Sequence, residues 1–214
     1  MTDIVQGTEE WKQARLGKVT ASRVADVIAK TKTGWGASRK NYAAELVAER
    51  LTGVPAESYT NAAMQWGLDT EPQARAAYAF FQDEEVEEIG FAVHPKISLS
   101  GASPDGLVGD VGMVEIKCPN TATHIDTLLT KTVPAKYVTQ MQWQMACTNR
   151  EWCDFVSFDP RMPEDLRLFV HRVKRDDKMI AELETAVTEF LDEVDQTIKA
   201  LMGAPEKLPV LVAG

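Results

Sequence analysis

Three residues in this chain have the types and spacing to do chemistry together. Asp105 lies in Ser103-Pro104-Asp105-Gly106, and Glu115 and Lys117 follow ten and twelve positions later. Glu115 and Lys117 are two apart in a β-leaning run, so both project from one face, while Val114 and Ile116 face the core. Asp105 borders a glycine turn, so a hairpin could set it against Glu115. Two converging carboxylates suit Mg²⁺, a hard cation that takes oxygen ligands and keeps several waters; the Ile116 backbone carbonyl could add another oxygen. An ammonium beside such a metal can position a water and neutralise charge on a phosphodiester under attack. A Glu-x-Lys alone is more often a surface ion pair. Joined to Pro-Asp at this separation, between strands and ahead of a helix, it points to a metal-dependent phosphodiesterase.

The elements that must hold these residues can be read from periodicity. Thr8 with Glu9 and Glu10 reads as a helix start and Gly17 as its stop. Thr20 or Ser22 caps a second helix running to about Lys30. A loop over Lys32–Ser38 follows, then a helix over Arg39–Leu51 that ends at Gly53. Another helix, Asn61–Gln82, is expected to break near Gly67 and Pro72. Strands are expected at Val86–Val93, Ile97–Ser100, Gly106–Val108 and Met113–Cys118. A helix at Pro134–Thr148 precedes strands at Glu151–Phe158 and Leu166–Val173. The run Asp176–Met202 has apolar residues at helical spacing and closes the chain. This order predicts one α+β or α/β domain with a mixed central sheet. A mainly helical part spans 1–82, a sheet core 83–175, and a helix with tail 176–214.

The chain has 214 residues, 44% of them hydrophobic and 26% charged, an ordinary balance for a globular enzyme. No run is apolar enough to span a membrane and no secretory leader is expected. Three cysteines without metal-type spacing fit a reduced compartment, so a cytoplasmic location is expected. The net charge of −9 at first argues against a polyanionic partner. Its distribution does not. Residues 9–40 carry eight Lys or Arg against three acidic residues, so a basic segment sits on an acidic body. No Gly-x-x-x-x-Gly-Lys-Ser/Thr loop is present, which argues against ATP as a cofactor. His94, His124 and His171 lack the partners of a zinc site and read as packing or surface residues.

The Asp105…Glu115-x-Lys117 pattern resembles the PD-(D/E)XK nuclease superfamily. More closely, the chain resembles the bacteriophage lambda exonuclease family, through several motifs in the same order. They are Trp11–Ser22 (Trp-x-x-x-Arg-Leu-Gly-x-x-Thr-Ala-Ser), Ala63–Glu71, Ala102–Pro119, Tyr137–Met145 and Phe158-Asp159-Pro160-Arg161-Met162. The resemblance implies a restriction-endonuclease-like core and a trimeric ring. It further implies Mg²⁺-dependent, processive 5′→3′ degradation of one strand of linear duplex DNA, with two ions and Mn²⁺ as a possible substitute. The exposed 3′ strand would pass to a single-strand annealing protein. Residue by residue, Asp105 and Glu115 match the metal ligands, Lys117 the catalytic lysine, and Glu71 a third acidic ligand from the preceding helix. Arg15, Thr20 and Ser22, with Ser103 and Gln140, match a pocket for the terminal 5′-phosphate; Tyr137 shares a helix face with Gln140. Met64 stands where the family places an apolar wedge between the terminal bases. An outer aspartate of the family, aligned near Pro95, is missing. A structure-specific or restriction-type endonuclease, or a DNA-end-binding module with weak catalysis, are the competing readings.

Overall fold

The computed structural model describes residues 4–56 and 61–203. Helix α1 (Glu9–Arg15) starts where Thr8 Oγ1 accepts the Trp11 N–H. The chain then turns at Gly17, with φ +65°. An added Cβ there would meet the Arg50 side chain at 2.7 Å, while Arg50 Nε donates to the Gly17 carbonyl. Strand β1 (Val19–Thr20) leads into a 3₁₀ turn (Ala21–Arg23) and a single helical turn, α2 (Val24–Val27). The expected helix to Lys30 is thus much shorter. In place of the expected loop, β2 (Lys30–Thr31) and β3 (Gly34–Trp35) pair as a small hairpin. Helix α3 (Ala37–Thr52) ends at Gly53 in the left-handed region, φ +69°, where glycine carries no steric penalty.

Helix α4 (Ala62–Gln82) is continuous, contrary to the expected break. Pro72 removes the N–H that the Leu68 carbonyl would accept, but Leu68 is 62% exposed, so water can serve that carbonyl. Ala74 and Tyr78, fully buried, hold the opposite side of the helix on the sheet. The expected strand Val86–Val93 divides in two. β4 (Val86–Glu87) pairs with β7 at one sheet edge, whereas β5 (Ala92–Val93) joins a different sheet with β6 (Ser100–Ala102). The N-terminal segment intervenes: Gln6 Nε2 donates to the Ile89 and Pro104 carbonyls, and Gly90 packs on the Ile4 backbone.

β7 (Gly106–Val108) and β8 (Gly112–Lys117) form a hairpin. Between β8 and the parallel strand β9 (Trp152–Phe158) run two helices, α5 (Thr121–Thr130) and α6 (Ala135–Thr148). α5 was not expected. Its sequence is rich in threonine, and its buried residues are His124 and Thr127, a polar stripe with no apolar period to read. His124 bonds Ser157 Oγ and the Leu166 carbonyl, so it is indeed a packing histidine. Strand β10 (Leu168–Lys174) completes a five-stranded sheet in the order β10-β9-β8-β7-β4, and α7 (Asp177–Gly203) closes the fold.

β8 is therefore central, with α4 on one face and α6 on the other. Val114 and Ile116 pack with Ala74 and Tyr78; Met113 packs with Met141 and Met145. A third cluster gathers α2, α3 and the buried stripe of α7 around Trp143 and Phe190. The motif Phe158–Met162 has a structural use. Buried Asp159 accepts from the Arg161 backbone N–H and guanidinium and from Thr121 Oγ1, which fixes where α5 begins.

A buried polar contact ties α4 to the sheet, Tyr78 OH donating to Asp154 Oδ2 at 2.8 Å; Arg172 holds the same carboxylate through two bonds. Tyr78→Phe removes a buried hydrogen bond to a charged group and is expected to cost about 1.5–3 kcal/mol. Urea unfolding checks this, and an unchanged midpoint would refute the assignment.

Candidate active site

The site is built where the β7–β8 hairpin stops pairing. Gly106 faces Val114 and Val108 faces Gly112. Continuing that register sets Pro104 opposite Ile116, and proline has no N–H to offer. The carboxylate of Asp105 takes over: the Ile116 N–H donates to Asp105 Oδ2 at 2.6 Å. In a strand the N–H and C=O of one residue point to the same side. The Ile116 carbonyl therefore emerges on the same edge as the Asp105 carboxylate, with no proline N–H to close it. The sequence order Pro-Asp opens the sheet edge and places a carboxylate in the opening.

Glu115 and Lys117 share the α6 face of β8, as their parity predicts. Glu115 is fully buried and Lys117 partly exposed, with Lys117 Nζ in contact with Glu115 Oε1. α6 adds two amides. Gln140 Nε2 donates to Glu115 Oε1 at 2.7 Å, and Gln144 Nε2 to Glu115 Oε2 at 2.6 Å. Tyr137 stacks on Phe155 and presents its ring 5.2 Å from Lys117 Nζ. Gln142 points away, bonding the Lys174 carbonyl and the Asp176 N–H.

From α4, Arg75 reaches across to the hairpin. Its Nε donates to the Asp105 carbonyl at 3.1 Å, its Nη2 to Glu71 Oε1 at 2.6 Å, and it also pairs with Glu88. Glu71 thus faces the cluster while bonded to Arg75. Among the described residues, no three His, Cys, Asp or Glu side chains are gathered as a ready metal centre. Glu71 belongs to the site electrostatically. Burial raises its pKa, with Arg75 and Lys117 opposing and Glu115 adding to the rise. Asp105 is held well above the ordinary carboxylate range by burial and then by Glu115. Burial alone would lower Lys117, but Glu115 and Asp105 outweigh it and raise its pKa. Three carboxylates crowd two cations, Lys117 and Arg75. That surplus of hard oxygen donors, with the Ile116 carbonyl on the same edge, fits a divalent cation such as Mg²⁺.

A second constellation lies just upstream of Asp105. The Trp11 indole N–H donates to Ser103 Oγ at 2.9 Å, and the Arg15 guanidinium stacks on the same indole at 3.8 Å. Burial lowers the Arg15 pKa, with Tyr42 and Glu49 opposing, and among the described residues Arg15 forms no salt bridge. β1 runs parallel beside β6, with Thr20 opposite Gly101, so Thr20 sits two residues from Ser103 across the pair. Thr20 makes no side-chain capping bond; its hydroxyl lies 3.5 Å from that of the exposed Ser22. The helical turn after it is too short for a strong dipole, so anion binding here rests on side chains. Gln140 is the exception among the expected pocket residues, being bonded to Glu115 on the lysine side. Met64 is half exposed on the first turn of α4, where Asn61 caps the helix.

Several of these features were not foreseen. Trp11 links Arg15 to Ser103, a role its spacing of four from Arg15 on one helix face could have suggested. Arg75 and Gln144 carried no motif. The basic segment is also less free than its charge count implies: Lys12 pairs with Glu9, Arg23 with Asp26 and Glu45, and buried Arg39 with Glu193. Trp35 lies between Lys30 and Arg39, stacked by both. Cys118, Cys147 and Cys153 are free, and burial raises their thiol pKa values. Among the described residues, no helix is long and apolar enough to cross a membrane.

A mixed sheet with paired carboxylates and a lysine at the open edge of its central strand defines a protein of the restriction-endonuclease-like fold. The model of the YqaJ-like viral recombinase domain matches residues 10–151, and the chain belongs to that family. It is similar to the alkaline exonuclease LHK-Exo of Laribacter hongkongensis, at 56% identity and a TM-score of 0.86. The match covers 91% of this chain and 96% of that one, and is the same for LHK-Exo in complex with dAMP. A phage-related exonuclease of Haemophilus somnus 129PT shares the fold, with 19% identity and a TM-score of 0.71 over 86% of this chain and 96% of that one. No curated protein matches the chain.

The raised pKa of Lys117 has a direct consequence. As pH rises, exposed lysines lose their proton first, while Lys117 stays an ammonium because its two carboxylate neighbours disfavour the neutral amine. Amine-reactive labelling near pH 10 should therefore leave Lys117 far less modified than Lys96, and Glu115→Gln should raise its reactivity. Equal labelling of Lys117 in both proteins would show that steric cover alone protects it.

Proposed function

We propose that this chain is a metal-dependent exonuclease that degrades the 5′-ended strand of linear duplex DNA, leaving 3′ single-stranded tails for recombination by strand annealing. The observation that carries this reading is the two-residue separation of Ser103 and Asp105. One lies in the Arg15–Trp11 constellation and the other in the carboxylate cluster. Two extended residues span at most about 7 Å. A terminal phosphate held by Arg15, Ser103, Thr20 and Ser22 thereby sits roughly one nucleotide from the carboxylates, the geometry needed to cut at an end. Similarity to exonucleases over nearly the whole chain supports the same reading.

Asp105, Glu115, Glu71 and the Ile116 carbonyl would hold the metal. Bound there, Mg²⁺ supplies positive charge to the phosphate oxygens and lowers the pKa of a water. Lys117, an ammonium, stabilises charge on the scissile phosphate and orients the attacking water by donating to it. It does not serve as the base. Tyr137 covers Lys117 and limits access of bulk water, which strengthens the electrostatic contacts. Met64, half exposed at the start of α4, would be the apolar wedge that parts the terminal base pair. A homotrimeric ring around the product strand, without ATP, would keep the enzyme on its track, and a single-strand annealing protein would receive the tail.

Two variants test the roles. Glu115→Gln should abolish Mg²⁺-dependent release of nucleotides while leaving binding to duplex ends intact in a gel-shift assay; near-normal turnover would misplace the metal site. Arg15→Ala should remove the preference for a 5′-phosphate over a 5′-hydroxyl end, and retained discrimination rejects the pocket. For the activity itself, strands labelled at the 5′ or 3′ end report direction. Degradation of closed circular duplex as fast as linear would sink the exonuclease reading in favour of an endonuclease.

A further inference from the structure

The carboxylate of Glu115 has two oxygens in different surroundings. Oε1 lies at the mouth, approached by Lys117 Nζ and by Gln140 Nε2 from a partly exposed side chain. Oε2 is met by Gln144 Nε2 at 2.6 Å, from a side chain with no exposure at all. Gln140 and Gln144 are four apart on α6 and so stack on one face, one turn above the other. The deeper amide has a feature that packing does not explain. Gln144 Oε1 is buried without a hydrogen-bond partner, a cost that methionine or leucine of similar size would not carry. Its N–H bond to Glu115 is what the amide contributes there.

We propose that Gln144 is a positioning residue for the metal site. It pins Glu115 Oε2 from within the core and so would leave Oε1 as the oxygen available to a metal. Gln140 and Lys117 share Oε1 from the mouth and are the contacts that could release it when a metal binds. The two glutamines then differ in kind: Gln144 is a fixed support and Gln140 an exchangeable one. Carboxylate ligands depend on such supporting bonds, and losing one typically weakens metal binding by roughly 10–100-fold.

This inference rests on the metal-dependent reading above, and its test separates the two. Mn²⁺ serves as the probe, its free concentration followed by electron paramagnetic resonance on the full chain, without DNA or turnover. Wild type should bind Mn²⁺ and Glu115→Gln should lose binding. If wild type binds none, or Glu115→Gln binds as well, the metal reading itself falls. Gln144→Met, matched in size but lacking the donor, should bind about tenfold more weakly with its melting temperature in chelator little changed. Gln140→Met should stay within roughly threefold of wild type. Gln144→His, whose ring N–H has a similar reach, should restore binding. A folded Gln144→Met protein that binds like wild type overturns the inference, as does an equal loss in the Met and His variants. If Gln144→Met does not fold, Gln144→His decides alone: near-normal affinity supports the donor role, and a tenfold loss rejects it.

Discussion

A buried carboxylate on a central strand is the constraint around which this molecule is arranged. Glu115 has no solvent exposure and sits just past the last β7–β8 pair, where its strand is paired with β9 opposite Phe155. An ionised group in such a place is tolerated only when its oxygens are fully met by donors. Lys117 comes from the same strand, Gln140 and Gln144 from the helix packed over it. The need to satisfy Glu115 therefore fixes how α6 lies on the sheet. Met141 and Met145, adjacent on that helix, seal the apolar part of the same contact. Packing and polar satisfaction are not separate achievements here, because alternate positions of one helix serve both.

The opposite face shows the same logic with different parts. α4 must bring Arg75 and Glu71 to the hairpin while passing through Pro72. It remains a helix because Ala74, Tyr78 and the Tyr78–Asp154 bond secure its buried side, and the carbonyl orphaned by proline lies toward solvent. The two faces meet only at the sheet edge opened by Pro104. There the carboxylates from hairpin, strand and helix come into one field, where burial and the nearby Glu115 push the pKa values of Asp105 and Glu71 up. An arrangement this costly in like-charge repulsion and desolvation is a mark of a functional site. The divalent cation proposed above would relieve it.

The acidic remainder of the surface fits the same picture. An open cleft of about 860 Å³ beside α4 is lined by Glu84, Glu85, Glu87, Glu88 and Asp110, with Arg75 as the cation among its lining residues. Such a wall would repel a polyanion, and on the proposed reading Arg15 and the Lys30–Trp35 hairpin would form the less hostile route. Several of the basic residues near that route are already paired with acids of the fold. On the proposed reading, binding there would rest on the few cations left without a carboxylate partner among the described residues, such as Arg15, and not on the total charge of the segment.

Much of this was legible in the sequence because it depends on local spacing. Residue parity put Glu115 and Lys117 on one face and apolar periodicity marked α7; a hairpin beside Asp105 was legible too, but its turn lies at 109–111 and Gly106 belongs to β7. The motifs Trp11–Ser22 and Phe158–Met162 also announced the family. What the sequence could not decide were contacts between segments far apart in the chain. α5 has no apolar period to read because its buried stripe is polar, and nothing local in Val86–Val93 says that its halves join different sheets. α4 was expected to break because proline's local cost is visible and its tertiary compensation is not. Gln144 and Arg75 are ordinary polar residues on ordinary helices until the fold carries them to Glu115 and Asp105. Residue type and spacing determined which groups could do the chemistry. Tertiary structure decided which other groups hold them in place, since burial and hydrogen bonding between distant segments exist only once the chain is packed.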